Sequence, residues 1–232
     1  MAGSKGRHSV VLVHGAWADG SSWNDVIGPL LAKGLNVLAA PIPLTSLSDD
    51  VAALDRALQR TDGPVTLVAH AYAGAVIAAN TSARVKSLVF IAALAPDEGE
   101  TVADVFYRNP PHPQAPQLAP DAHGLIWMPQ QGFAAAFSHH ASAERAALFA
   151  ATQRPIALAC IQERAPRPAW KTKPSWYLLA EEDRMINPAT QRFMAQRMGA
   201  RIRSEQVDHA PLATAPGPVI DVILDAVANS AA

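Results

Sequence analysis

The stretch "VTLVAHAYAGAVIAA" (65–79) decides how the rest of the chain is read. Its first half is a short apolar run ending at His70, the composition of a buried strand. Its second half reads as a helix over 73–82. Between the two there is no room for a loop. Ala69, His70, Ala71, Tyr72, Ala73 and Gly74 follow one another directly. A strand that passes into a helix this abruptly brings two backbones close together, so only small side chains fit two residues before and after the corner. Ala69 and Ala73 meet that need. The corner residue, Ala71, then carries its side chain above the sheet. Ordinary strand–helix packing also uses small residues here, so the case for a special corner has to come from the rest of the chain.

The same alternation continues outward. "SVVLVHGA" (9–16) is a strand ending at a glycine. "SSWNDVIGPLLAKG" (21–34) has apolar residues at helical spacing and Gly34 as C-cap. "LNVLAAPIP" (35–43) is a strand stopped by prolines. "SDDVAALDRALQRT" (48–61) is an amphipathic helix with Ser48 as its N-cap and acids in its first turn. "VKSLVFIAAL" (85–94) is again a strand. Strands alternating with helices predict an α/β fold, a mostly parallel central sheet with helices on both faces. Prolines, histidines and aromatics then break the rhythm, with no clear strand, and "FAAAFSHHASAERAALFAATQ" (133–153) reads as one or two helices. This block, approximately 96–169, is expected to be a helical cap inserted into a single domain whose core is 8–95 and 170–232. The rhythm returns with a strand at 174–183, a helix at 187–199 with Pro188 in its first turn, a strand at 200–207 and a last helix at 215–231.

Composition excludes several classes. The 232 residues fit one domain, and half of them are hydrophobic, enough for a large core. Lys and Arg (19) nearly balance Asp and Glu (20), and no basic stripe appears, so nucleic acid is not an expected partner. Cys160 is the one cysteine and cannot form an internal disulfide, which suits a reducing compartment. The N-terminus has no apolar leader and no apolar run approaches ~18–20 residues, so neither a membrane partner nor a signal peptide is expected and a cytoplasmic location is. A homodimer is compatible with this composition.

Three features make the corner at Ala71 a candidate catalytic site, with Ala71 at the position of a nucleophile. "VLVHGAW" (11–17) ends the first strand in His-Gly, and the next amide, Ala16, can face the corner. With the amide of Tyr72 it would form a two-donor oxyanion hole. The side chain of His14 is read as structural. "LLAEEDRMINP" (178–188) puts carboxylates after a late strand, with Asp183 as the acid and Glu182 and Glu181 in reserve. "SEQVDHAPLATAP" (204–216) puts His209 just past the last strand, where a general base belongs, and Asp208 ranks below Asp183 as the acid. Position 71, then Asp183, then His209 is the order nucleophile–acid–base. Trp17 beside the oxyanion loop, and Trp127, Met128, Phe133 and Phe137 in the cap, are candidates for an apolar substrate pocket, with His139 or His140 as a polar contact; plain cap–core packing accounts for each of them equally well. No cofactor is expected. Metal binding at "SHHAS" (138–142) is disfavoured, because adjacent histidines on a helix diverge and no carboxylate lies at ligand spacing. Cys160 lies in an apolar run and reads as buried and inert.

Together these motifs resemble the α/β-hydrolase superfamily, and within it the small bacterial esterases related to plant methylesterases and hydroxynitrile lyases. "VLVHGAWADGSSW" (11–23) resembles that group's opening strand and loop, and "LVAHAYAGAVI" (67–77) its "LVGHSYGGAVI" elbow. "LVFIAALAPDEGE" (88–100), "AATQRPIA" (150–157), the stretch 170–200 and "VDHA" (207–210) match as well. The likeness spans nearly the whole chain and is weakest over 101–130. It implies an α/β-hydrolase fold and cleavage of a small apolar or aryl ester, or a lactone, by a Ser-His-Asp triad. The departure is Ala71, where the family has serine. Two explanations fit: an introduced Ser→Ala substitution, or a natural ligand-binding form without catalysis. Retention of every other part favours the first. A hydroxynitrile lyase is disfavoured, because that group's lysine after the histidine and hydroxylated residue in the oxyanion loop are Ala210 and Gly15 here. An acyltransferase uses the same parts.

Overall fold

The computed structural model describes residues 6–230. In chain order the strands are β1 (Ser9–Val13), β2 (Asn36–Ala40), β3 (Val65–His70), β4 (Val85–Ile91), β5 (Leu125–Ile126), β6 (Ile156–Ala157), β7 (Ser175–Ala180) and β8 (Arg201–Glu205). Six of them form one sheet in the order β2-β1-β3-β4-β7-β8. Every neighbouring pair in it is parallel. The four inner strands are apolar on both faces because both faces are covered. Along β1, Val11 and Val13 enter one core while Val10 and Leu12 enter the other. The same period of two places Leu67 and Ala69 opposite Val68, and Tyr177 and Leu179 opposite Leu178.

Helix α1 (Asn24–Ala32) and the C-terminal helix Pro216–Asn229 cover one face, through Val26, Leu30, Val219 and Ile223. Helices α2 (Leu47–Leu58) and α3 (Ala73–Ala78) and the helix Pro188–Arg197 cover the other. Each fully buried Val, Leu or Ile stabilises the fold by ~1.5–3 kcal/mol. The edge strand β8 reads Arg-Ile-Arg-Ser-Glu and is largely exposed, which guards it against pairing with another chain.

Between β4 and β7 the chain leaves the sheet. The helix Val102–Phe106 carries a reciprocal cap between Thr101 and Asp104. Further on come the π-helical turn Phe133–Phe137 and the helix Ala143–Thr152. The segment also holds the antiparallel pair β5–β6, too short to leave a period in the sequence. Gly34 follows α1 with φ +79°, as the C-cap reading requires. Several boundaries differ from the sequence reading, most of them shortening the element, and at two of them the side chains show why. The N-cap of α2 is Ser46, not Ser48: Ser46 is extended and accepts from Asp49 N at 3.0 Å, while Ser48 is already inside the helix. Helix α3 stops at Ala78 rather than residue 82, because the Asn80 side chain accepts from Ser82 N at 3.0 Å and turns the chain. No helix among the described residues is long and apolar enough to cross a membrane.

Candidate active site

Parallel strands end at one edge, and the segments that follow β1, β3, β7 and β8 meet there. Past β3, Ala71 has φ +50°, a left-handed conformation that costs a residue with a Cβ about 1–2 kcal/mol. Hydrogen bonds hold it in place. Ala71 O accepts from Gly74 N at 3.1 Å and from Leu94 N at 2.9 Å. Gly74 is required, since a Cβ there would lie 2.2 Å from Leu94 O. Gly15 is similarly tight: a Cβ on it would meet Ala71 Cβ at 3.0 Å. The corner is therefore formed as the sequence suggests, with a methyl group at its tip.

His209 and Asp183 are both buried, and His209 Nδ1 lies 2.7 Å from Asp183 Oδ2. Asp183 is well supplied with donors. Met185 N and Ile186 N donate to Oδ1 at 2.7 and 2.9 Å, and Gln191 Nε2 donates to Oδ2 at 2.7 Å. These donors lock the carboxyl in place, and as the acceptor at His209 Nδ1 it orients the imidazole with its hydrogen on Nδ1. That leaves Nε2 as the basic nitrogen. His70 sets the histidine's loop by donating from Nε2 to the His209 carbonyl at 2.7 Å. Burial and the neighbouring His209 hold the His70 pKa well below the usual histidine range, so it stays neutral.

The amides of Ala16 and Tyr72 make no hydrogen bond to another group among the described residues, and both residues line a cavity of about 300 Å³ that also reaches Ala71 and His209. Its walls are almost wholly apolar: Trp17, Leu94, Val102, Phe106, Tyr107, Leu118, Ile126, Ile156, Leu158, Ile161, Met185 and Ile186. Trp17 is pinned to the cap, its indole N–H donating to Ile126 O at 3.0 Å. Beneath the cavity lies a polar cluster. The buried Asp50 accepts from Tyr72 Oη at 2.7 Å and from Leu44 N at 2.7 Å. Burial raises Asp50 to about 6, and burial likewise pushes the Cys160 thiol, 3.7 Å from Asp50, up to about 12. That makes a nucleophilic Cys160 untenable.

Several sequence candidates sit elsewhere. Glu181 is bonded to Arg192 and Ser204, and Glu182 pairs with His140. Asp208 accepts from His140 N at 2.9 Å and Thr214 Oγ1 at 2.6 Å. Of the expected pocket residues, Trp17 lines the cavity and the rest do not. Trp127 is 47% exposed and bonds Asp121 at 3.3 Å, because β5 turns it outward. Met128 and Phe133 are buried in the cap's own packing. Phe137 stands edge-on to His209 at 5.2 Å and buttresses the imidazole instead of lining the cavity. His139 meets His140 edge-on, with ring centroids 4.4 Å apart, and does not line the cavity. Nothing in the sequence singled out Gln191, His70 or Asp50; each is a polar residue whose role depends on distant partners.

Residues 10–222 match the alpha/beta hydrolase family. A search of curated protein sequences gives no match. Among solved structures, the chain is similar to an extracellular α/β-hydrolase from Paenibacillus described as sharing structural and functional homology with tobacco salicylic acid binding protein 2. The two are 21% identical, with a TM-score of 0.77 over 94% of this chain and 98% of that one. A pyrethroid hydrolase from Sphingobium faniae is 19% identical, with a TM-score of 0.80 over 96% and 98%. A T18A mutant of tomato methylketone synthase I is 16% identical, with a TM-score of 0.83 over 97% and 99%. With the six-stranded parallel sheet and the tight strand–helix corner, the match over residues 10–222 places this chain in the alpha/beta hydrolase family.

Proposed function

We propose that this scaffold is a carboxylic-ester or lactone hydrolase for small apolar or aryl substrates, and that Ala71 disables it. The observation that supports the reading most is a buried acid–base pair, Asp183 and His209, whose histidine lines the same cavity as a strained corner that ends in a methyl group. In the form with serine at position 71, that hydroxyl attacks the carbonyl while His209 Nε2 takes its proton. The amides of Ala16 and Tyr72 hold the oxyanion, and His209 returns the proton to the leaving alcohol. Asp183 stabilises the imidazolium. Water activated by His209 then releases the acid. The apolar walls favour an aryl or medium-chain acyl ester over a charged one, and the pyrethroid hydrolase among the structural neighbours is named for a substrate of that character. With alanine at position 71 the chain binds such substrates and leaves them whole, with a loss of order 10⁶ in turnover.

The test compares Ala71→Ser with the chain as it stands. p-Nitrophenyl esters of increasing acyl length are assayed, then a serine-directed phosphonate is applied and the adduct mapped by mass spectrometry. Ester cleavage and labelling at residue 71 in the serine variant alone support the reading. A serine variant inert to both reagents refutes it and leaves a ligand-binding protein on this fold.

A further inference from the structure

We propose that His139, His140 and Glu182 bind a divalent transition-metal ion of the zinc class, which ties the cap to the loop carrying Asp183. The sequence argued against a metal on the assumption that the histidines share a helix and lack a carboxylate. Neither holds. Ser138 (φ −141°, ψ 54°) ends the helical turn, and both histidines lie in the bend that follows. Their rings sit 4.4 Å apart at 65°, so they do not diverge. Glu182, distant in sequence, reaches the same spot from the end of β7, its Oε2 lying 2.8 Å from His140 Nε2. One ligand atom from each of the three residues lies within 4.8 Å of the others.

The chemistry of the set fits. Two imidazoles and one carboxylate are a common zinc donor set, with metal–ligand distances of about 2.0–2.2 Å and a position left for water. His140 and Glu182 are exposed and already meet each other at the proposed site. His139 is half-buried between the cap and Glu182, so its ring is held at the cluster, and its Nδ1 meets no partner at good hydrogen-bond geometry. Arg184 opposes a cation here, and Asp208 offsets it. The backbone is fixed in advance: His140 N donates to Asp208 Oδ2 at 2.9 Å, and Arg184 donates to Ala135 O at 2.9 Å. Glu182 adjoins Asp183 and Asp208 adjoins His209, so an ion at this point braces both catalytic loops without touching the cavity. The site does not depend on the ester-cleaving reading.

Isothermal titration of the unaltered chain with zinc chloride tests it, alongside visible absorption of the cobalt(II) form. One equivalent is expected to bind, with zinc, nickel and copper preferred and magnesium and calcium rejected. His139→Ala, His140→Ala and Glu182→Gln should each weaken binding by about tenfold or more, and His123→Ala, at an exposed histidine elsewhere in the cap, should leave it unchanged. Zinc should raise the melting temperature of the unaltered chain and not of Glu182→Gln. Absence of saturable zinc binding, or binding undiminished in the His140→Ala/Glu182→Gln double variant, would overturn the proposal.

Discussion

Replacing Asp50 by asparagine isolates the energetics of the cluster under the cavity. Asp50 is wholly buried, and its carboxyl takes hydrogen bonds from Leu44 N and Tyr72 Oη at 2.7 Å each. Burial outweighs those bonds and lifts its pKa from 3.8 to about 6. A carboxyl whose pKa is higher in the folded state binds its proton more tightly there. Its contribution to stability is full below about 4 and is lost as pH rises through about 6. At about 1.36 kcal/mol per pKa unit, the loss amounts to about 3 kcal/mol by neutral pH. Asparagine resembles the protonated acid: it keeps an oxygen for Leu44 N, and the Tyr72 hydroxyl can rotate to accept from its amide. Urea unfolding of both proteins at intervals from pH 4 to 7.5 gives the difference in stability. Asp19, Asp97 and Glu100, held below the usual carboxylate range, produce an opposite slope at low pH, but they do so in both proteins and cancel. The variant should gain about 2.5 kcal/mol on the parent between pH 4 and 7.5. A difference constant within about 0.5 kcal/mol across that range would refute the reasoning.

Three further changes test the site. In the serine-71 background, Asp183→Asn leaves the loop bonded but puts the wrong tautomer on His209, and kcat for p-nitrophenyl esters should fall about 10⁴-fold with KM little changed. Gly74→Ala forces a Cβ toward Leu94 O, a contact of 2.2 Å, and should cost about 3 kcal/mol or more in denaturant unfolding, since backbone must move on both sides. Trp17→Phe removes the indole donor to Ile126 O, and the serine form should show a KM for long acyl esters raised about fivefold, equivalent to ~1 kcal/mol, with a smaller effect on kcat.

The succession of strands and helices and the corner were legible because each rests on local chemistry; the order of the strands in the sheet was not. β-Branched runs bounded by glycine and proline mark β1, β3 and β4, and small residues at 69, 73 and 74 mark the close approach of strand and helix. Asp183 and His209 were legible from their places after β7 and β8, where a parallel sheet brings loop ends together. The cavity walls were not. Trp127 and Met128 are neighbours with opposite fates, one exposed and one buried, and only the short β5–β6 pairing decides which faces out. Val102 and Phe106 line the cavity from a five-residue helix that its Thr101 cap stabilises more than its periodicity announces. Glu182 read as a reserve acid for His209, and only the folded chain shows it beside His140.

Backbone strain is concentrated around the cavity in a way the sequence hid, because none of the strained residues is glycine. Among the described residues, Trp17, Leu44, Ala71 and Ala92 are the non-glycine positions with left-handed φ, between +43° and +62°. Trp17 and Ala71 line the cavity directly, and Leu44 donates to Asp50, which holds the Tyr72 side chain against it. Strain of about 1–3 kcal/mol at each such site persists only where the surrounding structure over-determines it. The bonds from Gly74 and Leu94 to Ala71 O, and from Trp17 N to Arg154 O at 3.0 Å, do that here. Beside these corners the amides of Ala16 and Tyr72 have no acceptor among the described residues. A fold serving only its own stability gains nothing from two unpaired donors, each costing about 1–3 kcal/mol when desolvated. The arrangement becomes favourable when an acceptor oxygen enters the cavity, so a carbonyl ligand should stabilise this chain even with alanine at position 71. A non-cleaved ester should raise its melting temperature more than a hydrocarbon of equal size, and equal shifts from the two would count against an oxyanion hole at these amides.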